Sequence, residues 1–118
     1  MSQSLEADAK IFKLHAALCQ TLANPVRLRI LALLRDGEKS VNELARDLGV
    51  PQANISQHLS VLRERNVLST RREGVSIYYK IAYPKIMKAG DLIREVLFEQ
   101  MAESRLLVQA FHRKQPPK

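Results

Sequence analysis

At 118 residues the chain is long enough for one compact domain and too short for two independent ones. Its 46% hydrophobic and 26% charged residues exclude a disordered polymer, and a formal net charge of +7 directs attention to a polyanionic partner. The surplus is placed: residues 20–83 carry ten Lys and Arg against six Asp and Glu, residues 84–118 seven against four, and residues 1–19 balance.

The spacing predicts a first helix from about Leu5 to Leu22, with Ile11, Leu14, Leu18 and Leu22 on one side and Phe12, His15 and Cys19 alongside. Asn24-Pro25 restarts the chain, since Asn caps well and Pro at the first helical position loses no hydrogen bond. The second helix then runs to about Arg35 with Leu28, Ile30, Leu31 and Leu34, and Gly37 ends it. Ser40 with Glu43 forms a capping box that opens a third helix whose inward residues are Val41, Leu44, Ala45 and Leu48, closed by Gly49. A fourth helix spans about Pro51 to Arg65, and Asn66 is its left-handed cap. From Val67 the period becomes two: V-L-S-T-R-R, E-G, V-S-I-Y-Y-K-I reads as a hairpin with its tip at Glu73-Gly74. In that hairpin Ile77, Tyr79 and Ile81 face one way and Ser76, Tyr78 and Lys80 the other. After Pro84 one last long helix is expected, from about Lys85 to His112, followed by a disordered tail over 114–118.

The fourth helix carries the functional signal. Ile55, Leu59 and Leu62 recur at i, i+4, i+7 and form one apolar seam, while Ala53, Asn54, Ser56, Gln57 and Ser60 occupy the other arc. Asn, Ser and Gln are costly inside a helix, where a merely solvated face would carry Glu and Lys. An amide- and hydroxyl-rich, acid-free face suits the base edges of the major groove. Gln57 and Asn54 are the best base readers, because an amide can pair bidentately with adenine. Ser56 and Ser60 suit phosphate or mixed contacts, and Gln52 lies at the helix N-terminus where phosphates bind well. His58 lies beside Ile55 and Leu62 on the wheel and is better read as a packed, hydrogen-bonded residue. Arg63 and Arg65 extend a basic rim. Arg71, Arg72 and Ser76 near the hairpin tip are placed for phosphate or minor-groove contact.

Helix-turn-helix followed by hairpin is a winged helix-turn-helix, mainly α with a small β-hairpin, and on these residues the chain resembles the ArsR/SmtB-type repressors. The matching text is L-A-N-P-V-R-L-R-I-L-A-L-L, S-V-N-E-L-A-R-D-L-G-V, I-S-Q-H-L-S-V-L-R-E-R-N-V-L and R-R-E-G-V-S-I-Y-Y-K-I, within residues 18–82. The resemblance implies a homodimeric transcriptional repressor bound to double-stranded DNA at a palindromic operator, which in the family is often released when a metal or oxidant is sensed. The domain plan is then a single unit over 1–118: residues 1–22 and 84–113 for dimerisation, 40–65 the helix-turn-helix and 67–82 the wing. Pro51 stands where the family commonly has Ser or Thr and removes a capping side chain.

The family's metal sites have no counterpart here. Its third-helix C-x-C position reads V-N-E-L-A, and its last-helix Asp and His pairs are replaced by Asp91, Glu95, Glu99 and Glu103, with no His before His112. Those carboxylates read as a solvated stripe, since zinc sites favour nitrogen and sulfur. No metal and no cofactor are expected. His15 and Cys19, one turn apart, are the remaining effector candidates, against a packed thiol and a boundary imidazole. A single cysteine excludes an internal disulfide. No apolar run approaches the ~20 residues of a membrane span, and M-S-Q-S-L-E-A-D-A-K lacks the order of a signal peptide. A cytoplasmic protein is expected. No Ser/His/Asp set, phosphate-cradling Gly loop or H-E-x-x-H occurs, so no enzyme is expected. The competing reading is a winged-helix module that docks a partner protein. On the last helix Ile86, Ile93, Leu97, Met101, Leu107 and Phe111 form a stripe that asks for a second copy.

Overall fold

The computed structural model describes residues 2–102 and 105–114. The chain divides into two units, Met1–Tyr83 and Pro84–Lys118. The first contains α1 (Ser2–Leu22), α2 (Pro25–Leu33, continued by a 3-10 turn over Leu34–Asp36), β1 (Lys39–Ser40), α3 (Val41–Leu48), α4 (Gln52–Glu64), β2 (Leu68–Glu73) and β3 (Ser76–Ile81). The second contains α5 (Lys85–Gln100) and α6 (Arg105–Lys114).

Local chemistry sets the helix ends. Asn24 Oδ1 accepts from the backbone N–H groups of Val26 (2.9 Å) and Arg27 (3.1 Å), with Pro25 in the first turn. The capping box is complete: Glu43 N–H donates to Ser40 Oγ (3.2 Å), and Ser40 N–H donates to Glu43 Oε1 (3.0 Å). The backbone N–H of Ser40 holds the Glu43 carboxyl below the usual carboxylate range, assisted by the Ser40 hydroxyl. That capping contribution is present above the ordinary carboxylate pKa and is lost as pH falls through the lowered value. Gly49 ends α3 at φ +66°, and Asn66 follows α4 at φ +62°. At Asn66 the next residue, Val67, donates back to the Leu62 carbonyl (2.9 Å), closing the last turn.

The core of this unit is aliphatic. Ile30, Leu44, Ile55, Leu59 and Leu62 are fully buried, joined by Leu31, Leu34, Val67 and Leu68. The seam Ile55/Leu59/Leu62 seats α4 against α2, α3 and β2. One face of α4 is therefore committed to packing.

The sheet has three antiparallel strands in the order β1-β3-β2. Leu68↔Ile81, Thr70↔Tyr79 and Arg72↔Ile77 share one face, and Ser69↔Lys80, Arg71↔Tyr78 and Glu73↔Ser76 the other. The third strand, β1, lies outside the sequence expectation, because two residues carry no period. It pairs Lys39 with Tyr79 and Ser40 with Tyr78, fastening the hairpin to the start of α3. The tip also differs from the expected position. Because Glu73 pairs with Ser76, the loop is Gly74-Val75, with Gly74 at φ +61° and no positive φ at Val75. Glycine first in a two-residue loop matches the right-handed strand twist.

In the second unit the expected single helix from Lys85 to His112 is two helices. α5 stops at Gln100, where Met101 N–H donates to the Leu97 carbonyl and Ala102 N–H to the Glu99 carbonyl. α6 brings Phe111 and His112 onto Phe98, with ring centroids 5.0 and 5.3 Å away in edge-to-face geometry. Contact among these rings is a tertiary gain that a continuous helical period does not reveal. α6 also runs through Lys114, which the sequence placed in the tail, and 115–118 lie outside the described residues. Glu103 and the side chain of Leu107 lie outside them too.

Candidate nucleic-acid interface

With one face of α4 fully buried, the other is displayed. Gln52, Ala53, Asn54, Ser56, Gln57 and Ser60 are all exposed, as is Arg63 in the last turn. No carboxylate interrupts this arc before Glu64. Pro51 is the N-cap residue of α4 and offers no side-chain cap, although its carbonyl accepts from Asn54 (3.0 Å) and Ile55 (3.2 Å). The first turn is therefore left with N–H groups that a phosphate oxygen could accept from.

The two wing arginines, adjacent in sequence, have different surroundings. Arg71 turns its donors to carboxylates: Nε to both oxygens of Glu38 (3.1 and 3.2 Å) and Nη1 to Glu73 Oε2 (3.1 Å), while its guanidinium stacks on Tyr78 at 4.9 Å. The hydrogen bond from Arg71 holds the Glu38 carboxyl below the usual range, and the paired carboxylates raise Arg71 further above its ordinary value. Exposed pairs of this kind contribute little stability, but they occupy the guanidinium. Arg72 is exposed on the opposite face of the hairpin and has no carboxylate partner among the described residues. Ser76 is half-buried opposite Glu73. Val75, which the hairpin pattern does not single out, stands 99% exposed at the tip.

His58 is half-buried, as its place on the wheel implies, and its Nδ1 accepts from Arg27 Nε at 3.2 Å. His15 and Cys19 are both exposed on α1. Among the described residues no three His, Cys, Asp or Glu side chains converge as metal ligands. Asp91 of the acidic stripe is paired with Arg94 at 2.6 Å. No helix among the described residues is long and apolar enough to cross a membrane.

An arsR-family model of bacterial regulatory proteins matches residues 24–70, which contain α2, α3 and α4. An uncharacterised HTH-type transcriptional regulator of Mycobacterium tuberculosis, Rv0081, is 40% identical over 94 residues, covering 79% of this chain and 82% of the relative. The chain belongs to the arsR family. The crystal structure of Rv0081 superposes with a TM-score of 0.72, covering 80% of this chain and 95% of that one. The biofilm growth-associated repressor of Xylella fastidiosa is 43% identical over 85 residues, 72% of this chain and 75% of the relative. A fragment of Mb0332 from Mycobacterium bovis, described as a homodimeric winged helix-turn-helix DNA-binding domain, has a TM-score of 0.72 at 31% identity, covering 81% of this chain and 89% of that one. This arsR-family chain is thus a winged helix-turn-helix protein from a family of transcriptional regulators, not enzymes.

Proposed function

We propose that this protein is a homodimeric, sequence-specific DNA-binding repressor that reads a palindromic operator with α4 in the major groove and the β2–β3 wing on the backbone or minor groove. The carrying observation is the α4 arc: exposed amides and hydroxyls without a carboxylate, on a helix whose other side is fully buried. Gln57 and Asn54 read bases; Gln52, Ser56, Ser60 and Arg63 contact phosphates or mixed edges. On the wing Arg72 is the phosphate anchor, while the guanidinium of Arg71 is occupied by Glu38 and Glu73. The names of relatives described as repressors support the regulatory reading.

The test is titration with DNA from directly upstream of its own coding region at two salt concentrations. Affinity should fall steeply with salt. Arg72→Ala should weaken binding to every sequence alike and lower the salt slope by about one unit for each phosphate it ceases to neutralise. No binding at low salt would leave the protein-docking reading instead.

The dimer rests on uncovered apolar helix faces in both units. Leu5, Ile11, Phe12 and Leu14 on α1 are exposed, as are Leu92, Ile93, Val96 and Leu97 on α5. Apolar stripes of this length ask for a partner, and a two-fold pair presents two reading helices about one DNA turn apart. Sedimentation at micromolar concentration should show a dimer; a stable monomer there would refute this part of the reading.

A further inference from the structure

The side chain of Arg27 joins three helices. From α2 its Nε–H donates to Nδ1 of His58 on α4 (3.2 Å), and its Nη1–H donates to the Thr21 carbonyl in the last turn of α1 (3.0 Å). The middle of this bridge and its Thr21 end are themselves held. The backbone N–H of Arg27 donates to Asn24 Oδ1 (3.1 Å), and Thr21 is buried with its hydroxyl donating to the Ala17 carbonyl (3.0 Å). His58 follows Gln57 directly and stands one turn after Asn54. The guanidinium therefore grips α4 at the border between its buried seam and its exposed arc.

We propose that Arg27 is a positioning residue for the recognition helix, acting through the neutral imidazole of His58, and that protonation of His58 releases this grip and weakens DNA binding. The inference rests on the reading of α4 as the DNA-reading helix.

The chemistry follows from the bond's direction. An Nδ1 that accepts an N–H carries no proton, so the neutral ring holds its proton on Nε2. Once protonated, Nδ1 becomes a donor facing a donor, and an imidazolium faces a guanidinium. Among the described residues the charge that acts on His58 is Arg27 of α2, with none from α3 or β2, and α1 brings the uncharged Thr21 carbonyl to the same guanidinium. On α4 itself the nearest charged residues in sequence, Arg63 and Glu64, are more than one turn away. Burial first, then the Arg27 charge, lowers the imidazole pKa from its ordinary value, and no carboxylate among the described residues opposes them. The grip is therefore complete above the ordinary histidine pKa and is lost as pH falls through the lowered value. The sign is diagnostic: a protein held to DNA by charge alone would bind more tightly when a histidine gains a proton.

The experiment measures affinity for the upstream DNA fragment at about pH 7.5 and about pH 5.0, below the lowered His58 value, with wild type and His58→Asn. Wild type should lose about three- to tenfold on acidification, the scale of one hydrogen bond. The Asn side-chain oxygen accepts from Arg27 without titrating, so His58→Asn should bind normally at the higher pH and lose less than about twofold at the lower. Wild-type affinity that holds or rises on acidification, or a variant that keeps the wild-type pH response, would overturn the inference. If wild type binds no DNA at either pH, the reading of α4 has failed. Imidazole ¹⁵N spectra of the free protein then decide the grip itself. An unprotonated Nδ1 at the higher pH, with Gln57 and Ser60 amides shifting as His58 titrates, supports it. A protonated Nδ1, or unmoved amides, overturns it.

Discussion

Leu59→Ala lowers the stability of the Met1–Tyr83 unit by about 2–5 kcal/mol. Leu59 is fully buried in the middle of the α4 seam, between Ile55 and Leu62, where α4 meets α2, α3 and β2. Truncation removes the burial of three carbons and leaves a cavity that three packed elements cannot close together. A domain of this size has only about 5–15 kcal/mol in total, so the loss is a large fraction of it. Urea unfolding followed by circular dichroism should show a lower midpoint at an unchanged slope. The adjacent Ser60→Ala, on the exposed arc, should stay within about 0.5 kcal/mol of wild type. Equal effects at the two positions would mean that α4 is not seated by this seam.

Gln57→Ala leaves stability near wild type but costs about 1–3 kcal/mol of binding at the preferred operator. The side chain is exposed on the arc opposite the seam, so its removal opens no cavity. What disappears is a donor and an acceptor on one amide, able to pair with two atoms of a single base. Selection from a randomised operator should therefore show relaxed preference at one position in each half-site. Arg72→Ala supplies the contrast, since a phosphate contact changes affinity and salt slope without changing base preference. If the wing variant altered preference and the helix variant did not, the two roles would be exchanged.

The local devices of this fold are legible in the residues because each is completed within about one turn of chain. Asn24-Pro25, Ser40 with Glu43, Gly49 and Asn66 all act where their spacing places them. The two faces of α4 and of the hairpin are legible for the related reason that periods of 3.6 and 2 directly record which side is buried. The hairpin tip reads one residue early in the sequence: E-G and G-V are both plausible turns, and only the pairing of Glu73 with Ser76 decides between them. The break after Gln100 is easily missed, because apolar residues keep helical spacing through it, neither Gly nor Pro marks it, and the sequence cue is a single residue of capping type, Ser104, before Arg105.

By itself, the order of residues determined the helix starts and stops, the seam that seats α4 and the polar arc that this seam turns outward. All of these depend on interactions between near neighbours in the chain. Only the tertiary structure decided which charges remain available and which are spent. Arg71 and Arg72 are equivalent as text, but Glu38, 33 residues away, occupies the first. His58 is an ordinary helix residue until Arg27, 31 residues away, donates to it. The two-residue strand β1 exists only because β3 supplies its hydrogen bonds. The physical reason is common to all three. Such partners are brought together by closing loops of about thirty to forty residues, and the free energy that closes them comes from the aliphatic core rather than from the polar groups that meet.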